Sequence, residues 1–270
     1  YLNKTIQDVL SKATGEIEIF PILDGYDVPY EKIIDPRVKY IELPNNGLMQ
    51  KRQGINVGVS LAKGEYVMSL DAHCCVAKGF DEQLAKDHGG DDWVQVPRRY
   101  RIDIDTWDKV KDDPRIPIDY EYFMWQKLIP GFHDGSKRLK AGRFGGYKWD
   151  ERTRERWDIP IDDILTMQAS CWFMTKEWFN KMGFMNTKIY TGWGQEAEEI
   201  CFTTWQKGGE CKVNKNTWYA HLHKGKTHGR MYEWNIDQIR DSYNNSYDYW
   251  VNQNKEDFIK MVEKFMPVPN

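Results

Sequence analysis

The 270-residue sequence contains no apolar run near the roughly 18 residues that a spanning helix needs, and no signal-peptide pattern at its start. It has no CxxC pair: its five cysteines, Cys74, Cys75, Cys171, Cys201 and Cys211, are odd in number and two are adjacent. That pattern is neither a disulfide framework nor a zinc knuckle. It predicts small buried thiols in a reducing compartment, with a single bridge left open. A Walker loop, a GxGxxG turn and a GxSxG elbow are all missing, which demotes P-loop NTPases, dinucleotide oxidoreductases and α/β-hydrolases. Charge of one sign is also lacking. A net charge of −3 argues against a protein whose whole surface is built to hold nucleic acid.

The composition is that of a globular protein long enough to bury its own core. It is 40% hydrophobic and 29% charged, with a mean hydropathy of −0.74. Aromatics make up 14% and tryptophans number twelve, which suits both a dense core and sugar-ring stacking. Periodicity predicts a helix over 2–10, strands over 17–20 and 38–43, a helix over 48–62 and a short apolar strand over 66–70 that runs into Asp71. Helices alternating with buried strands predict an α/β domain with a mostly parallel sheet and helices on both faces. In such sheets ligands bind beyond the carboxyl ends of the strands, where Asp24 and Asp71 both fall.

After Trp93 the alternation is lost. Residues 97–160 read as an acceptor-side insertion, in which Lys137, Arg138, Lys140, Arg143 and Lys148 surround several glycines and offer contacts to an anionic or polar partner. Order returns as a strand over 164–175, helices over 176–182 and 196–207, a strand over 211–218 and an amphipathic tail over 231–270. The expected division is thus 1–96 for a nucleotide-binding half, 97–160 for the insertion, 161–230 for a catalytic half and 231–270 for a helical tail.

Three clusters carry chemistry. Asp71-Ala72-His73 at a strand end places a carboxylate and an imidazole two residues apart, a pattern that grips one borderline divalent ion such as Mn²⁺. His221 and His223, near a later strand end, both qualify as a third ligand. Glu196, Glu198 and Glu199 open a helix whose dipole favours carboxylates there. Lys224, Lys226, His228 and Arg230, spaced by glycines, form a cationic loop suited to phosphate.

Taken in order, these segments resemble the GT-A glycosyltransferases, and within them the family 2 enzymes and the polypeptide N-acetylgalactosaminyltransferases. Residues 2–10 look like the family's first helix, and Asp24-Gly25 like its aspartate turn. Asn46-Gly47-Leu48 through Arg52, Asn56, Gly58, Ala62 and Gly64 is similar to the stretch before the metal motif. Leu70-Asp71-Ala72-His73-Cys74-Cys75-Val76 resembles the DSHCEV form of DxD, and Gly192-Trp193-Gly194-Gln195-Glu196 with Trp205-Gln206-Lys207-Gly208-Gly209 resembles the WGGEN helix and its WQCGG end. The departures are Leu23 where an aspartate pair usually begins, a middle segment unlike the relatives' acceptor site, and a first strand that would lie before Tyr1. Any leader or anchor would lie there too, so the cytoplasmic location expected from the thiols stands beside a lumenal or membrane-anchored parent.

The resemblance implies a UDP-sugar donor bound through Mn²⁺ or Mg²⁺ held by Asp71, His73 and His221. It implies donor contacts from Asp24, Arg52, Trp193, Lys224, Lys226 and Arg230, and catalytic roles for Glu196 and Glu199. Glu196 either holds the donor sugar or acts as a base on the acceptor, and the Gly-Trp-Gly-Gln-Glu pattern tilts the expectation toward retention of configuration. Trp172 is a candidate for the acceptor wall. The implied acceptor is a hydroxyl of a glycan, a protein or a modified DNA base. Two other readings stay open: a silent GT-A domain that binds a nucleotide sugar or glycan, and a metal-dependent nucleotidyltransferase or hydrolase.

Overall fold

The computed structural model describes residues 1–26, 29–126, 143–223 and 235–269. Elements in chain order are α1 (Leu2–Lys12), β1 (Ile22–Asp24), β2 (Ile41–Leu43), α2 (Lys51–Leu61), β3 (Tyr66–Leu70), β4 (Cys74–Val76), α3 (Phe80–Lys86), β5 (Trp93–Asp103), β6 (Asp108–Lys109), β7 (Glu121–Gln126) and β8 (Arg143–Lys148). There follow α4 (Asp150–Glu155), β9 (Ile161–Asp163), β10 (Cys171–Thr175), α5 (Lys176–Met182), α6 (Glu196–Gln206), β11 (Glu210–His221), α7 (Ile236–Tyr247), a π-helical turn (Asp248–Gln253) and α8 (Lys255–Glu263).

The main sheet has the order β3-β10-β5-β11-β4, with β6 on β5 and β9 on β11. It is mixed, which corrects the expectation of a mostly parallel sheet. β5 and β11 pair in parallel, whereas β10 runs antiparallel to both β3 and β5, and β4 and β9 run antiparallel to β11. The physical reason is that Cys171–Thr175 is buried at every position. A continuous apolar run shows that a strand is internal but says nothing of its direction. β3, β5 and β11 do point the same way, and β1 and β2 form a separate parallel pair.

Two expected boundaries move. The strand expected over 17–20 contributes a single bridge, Ile19 to Val38, and the ladder proper is Ile22–Asp24 with Ile41–Leu43. The line expected between residues 96 and 97 falls inside β5, whose eleven residues run straight through Pro97. Charged Arg98, Arg99 and Arg101 hid this strand. Their charges are met by Asp119, Glu121 and Asp113, so a charged run lies in the sheet without leaving bare cations.

α1 secures the edge strand β4 through side chains. Thr5 Oγ1 donates to the carbonyl of Cys74 at 2.9 Å and accepts from its N–H at 3.2 Å, and Asp8 Oδ2 accepts from Val76 N at 2.8 Å. Residues three apart share a helix face, so the two polar side chains serve one strand edge together. All five cysteines are buried and free. Trp172, a candidate for the acceptor wall, is instead fully buried core, stacked on Phe179 with ring centroids 5.9 Å apart.

Lys137, Arg138, Lys140, Lys224, Lys226, His228 and Arg230 lie outside the described residues. α2 sits hard against β1: a Cβ on Gly54 would meet Ile22 Cγ2 at 2.5 Å. A β-branched neighbour cannot yield easily, so Gly54→Ala is expected to cost about 1–3 kcal/mol, read as a lowered midpoint in thermal unfolding.

Candidate functional site

β3 delivers Asp71 just past its last residue, Leu70. Asp71, Ala72 and His73 then form a tight turn rather than continuing the strand: His73 N donates to Asp71 O at 2.8 Å. Alternation along a strand therefore does not explain why carboxylate and imidazole face one point; the turn does. It is held at both sides, by Asp71 N on Ser170 O at 2.8 Å and by Leu222 N on His73 O at 3.0 Å. The second bond lies beside His221, the last residue of β11, which pairs across the sheet with Cys74.

Asp71, His73 and His221 thus offer one oxygen and two nitrogens that all lie within 4.8 Å of one another. His221 Nε2 is 3.0 Å from His73 Nε2 and 3.4 Å from Asp71 Oδ2, and His73 Nε2 is 3.9 Å from Asp71 Oδ2. A spacing of 3.0 Å is what neighbouring vertices of an octahedron need when metal bonds are about 2.1 Å long. Mixed oxygen and imidazole donors suit Mn²⁺ or a similar divalent ion, so the residues present fit the implied metal. His223 is exposed, with its ring centroid 6.4 Å from that of His221, and takes no place in the cluster.

The protonation states agree with that role. Burial pushes His221 below the ordinary imidazole value despite the nearby Asp71, which keeps a nitrogen lone pair available. Burial would raise the Asp71 carboxyl, but the Lys51 ammonium and the two imidazoles outweigh it and hold the group well below the usual carboxylate range. Lys51 is a residue the sequence did not single out. Burial works against its charge, yet Asp71 and Glu196 raise its affinity for the proton above the ordinary lysine value.

The first turn of α2 organises the remaining residues. Asp24, exposed at the end of β1, accepts from Gln50 N at 2.7 Å and from Gln50 Nε2 at 3.1 Å. Lys51 Nζ stands 3.5 Å from Asp71 Oδ1 and 3.9 Å from Glu196 Oε1. Arg52 is fully buried: it pairs with Glu199, donates to Gly194 O at 2.9 Å and lies 4.5 Å from the centre of the Tyr190 ring. Glu199 also accepts from Asn186 N at 2.5 Å, and burial raises its carboxyl above the ordinary value. Arg52 and Glu199, expected as a donor contact and a catalytic residue, face each other inside the protein, where they position the loop before α6.

Glu196 differs from Glu199. It is the first residue of α6, its Oε1 accepts from Gly194 N at 3.2 Å, and it faces Lys51. The loop before it is tightly set. Gly192 and Gly194 have φ of 91° and 97°, the left-handed region that favours glycine. Trp193 between them is half-buried. α7 pins this loop and the start of α2 together: Thr191 Oγ1 donates to Gln238 O at 3.1 Å, Thr191 N donates to Ser242 Oγ at 3.1 Å, and Gln238 Oε1 accepts from Met49 N at 2.8 Å. A separate cleft of about 260 Å³, lined by Phe202, Trp205, Trp250 and Phe258 among others, shares no residue with the metal cluster.

The family described as glycosyl transferase family 2 matches residues 1–148. Polypeptide N-acetylgalactosaminyltransferase 3 of Drosophila melanogaster is 25% identical over 240 residues, covering 84% of this chain and 33% of that protein. Polypeptide N-acetylgalactosaminyltransferase 4 of Mus musculus is 26% identical over 233 residues, covering 82% of this chain and 37% of that protein. The chain therefore spans about a third of the length of these curated relatives. A crystal structure of GalNAc-T7 with UDP, GalNAc and Mn²⁺ superposes with a TM-score of 0.66 at 18% identity, over 99% of this chain and 49% of that one, and shows the GT-A fold to be shared.

The buried pair gives a direct test. Arg52→Met strands the Glu199 carboxylate and is expected to cost about 3–5 kcal/mol in denaturant unfolding. The double variant Arg52→Met/Glu199→Gln should recover part of that loss.

Proposed function

Because the chain belongs to glycosyl transferase family 2, we propose that it moves a sugar from a UDP-linked donor to a hydroxyl acceptor, using a divalent cation held by Asp71, His73 and His221. The observation that carries this reading is the convergence of those three side chains from two separated strand ends onto one point. When bound, a divalent cation there would offset the negative charge that grows on the departing diphosphate. The chain's own contribution is positional. Asp71 is kept ionised, His221 is kept neutral, and the Gly192–Gly194 loop holds Glu196 at the end of α6 nearest Lys51.

For Glu196 the role of sugar holder is favoured over that of base. One of its oxygens already accepts from Gly194 N–H and faces an ammonium, so it is poorly placed to take a proton from an acceptor. That assignment goes with retention of configuration. The polypeptide-modifying relatives favour an N-acetylhexosamine and a peptide hydroxyl as donor sugar and acceptor. A DNA-base acceptor has no such support, and of the basic residues between Arg98 and Arg156, Arg98 pairs with Asp119 at 2.8 Å, Arg115 with Asp113 at 2.8 Å and Arg156 with Asp162 at 2.6 Å. No helix among the described residues is long and apolar enough to cross a membrane.

The test is a panel of nucleotide sugars with Mn²⁺, Mg²⁺ or chelator, with the released nucleotide read by chromatography. UDP from one donor, lost with chelator, is the expected result; nucleoside monophosphate with pyrophosphate would overturn the reading in favour of nucleotidyl chemistry. His73→Ala should abolish Mn²⁺-dependent UDP binding in calorimetry and leave the circular dichroism near native. Glu196→Gln should lower transfer by about a hundredfold or more with little effect on UDP affinity. The anomeric proton of the first product, followed by NMR, should show the donor's configuration.

A further inference from the structure

The first turn of α2 runs against the helix dipole. It opens with Lys51 and Arg52 and contains no acidic residue, although the positive end of a helix disfavours cations. For Arg52 the charge is met in a buried pair with Glu199. For Lys51 it is not. Its ammonium lies 3.5 Å from one carboxylate and 3.9 Å from another, both longer than a good charge-assisted hydrogen bond, and a quarter of its side chain is exposed.

Asp71 meanwhile has its two oxygens divided. Oδ1 faces Lys51, and Oδ2 faces His221 and His73. A lysine ammonium carries three donors and has no acceptor capacity, so two distant carboxylates leave it able to bind further oxygens on its open side.

We infer that Lys51 is a second, protein-borne cation of the donor site: it holds Asp71 Oδ1 so that Oδ2 alone is presented to the divalent ion, and it offers its remaining N–H groups to the diphosphate oxygens of the donor. The inference rests on the proposed reading of the site as one for a nucleotide sugar. Its consequence is a pair of effects of opposite sign. A fixed positive charge beside the ion position repels the ion when it binds alone, and the same charge attracts the diphosphate that follows.

Titration calorimetry with Mn²⁺ alone, and then with UDP at saturating Mn²⁺, separates the two. Lys51→Met keeps most of the stem and removes the charge. It should bind Mn²⁺ about threefold or more tighter and UDP about tenfold weaker, as loss of one ammonium among the phosphate contacts implies. Lys51→Gln should move both constants in the same two directions, while Lys51→Arg, which keeps the charge, should hold Mn²⁺ affinity near the wild-type value.

If both affinities fall together in the neutral variants, or neither changes, the role is overturned. Loss of the native circular dichroism in both neutral variants would make Lys51 structural and overturn it as well. Failure of the wild-type chain to bind Mn²⁺, or to bind UDP more tightly with it, would bring down the reading of the whole site and this role with it. A wild-type chain that binds both, with no opposite signs in the variants, removes the Lys51 role alone.

Discussion

The site depends on the start of one helix. Gln50, Lys51 and Arg52 are consecutive, and consecutive residues at a helix start point about 100° apart, so three neighbours in sequence reach three different parts of the fold. Gln50 binds Asp24 at the end of β1, Lys51 lies between Asp71 and Glu196, and Arg52 reaches Glu199 and the carbonyl of Gly194. The β1 end, the metal turn and the loop before α6 are therefore indexed to a single rigid element. The close approach of Gly54 to Ile22 fixes how near that element comes to β1.

Charge is distributed around this turn in two ways that differ physically. Arg52 and Glu199 are both removed from water, where desolvation offsets much of their attraction and the gain lies in specifying one arrangement of the loop. Lys51 and Asp71 stay nearer solvent, and they and the buried Glu196 are spaced more loosely, so the charge of Lys51 remains available to a ligand. A buried ion pair beside an incompletely satisfied one is what separates framework from working surface here. The sequence Lys51-Arg52 presents the two alike.

Much of the candidate site is legible in the sequence. Asp71, His73 and Glu196 stand in recognisable local patterns, and His221 and His223 both stand near a late strand end. Strand register groups His221 rather than His223 with Asp71 and His73, since His221 lies opposite Cys74 beside the turn. What the sequence could not convey is long-range pairing. Whether Arg52 meets a ligand or Glu199 depends on the packing of α2 on α6, 147 residues apart in the chain. The direction of β10 was hidden for a related reason, because a run buried at all five positions has no polar face to orient it. For Lys51 one signal did exist: two cations and no acid at the positive end of a helix.

The tail was the least legible part and matters more than its amphipathic pattern suggested. Gln238 of α7 accepts from Met49 N with its side chain, while its own carbonyl accepts from Thr191 Oγ1. One residue near the end of the chain thus joins the approach to α2 to the approach to α6. These approaches lead to Lys51 and Glu196, groups 3.9 Å apart, and the tie through Gln238 adds to the one that Arg52 makes to Glu199 and Gly194 O. The carboxyl-terminal helices therefore belong to the site's framework: without α7 the metal turn would keep its own bonds to Ser170 and Leu222, and the starts of α2 and α6 would keep only the tie through Arg52.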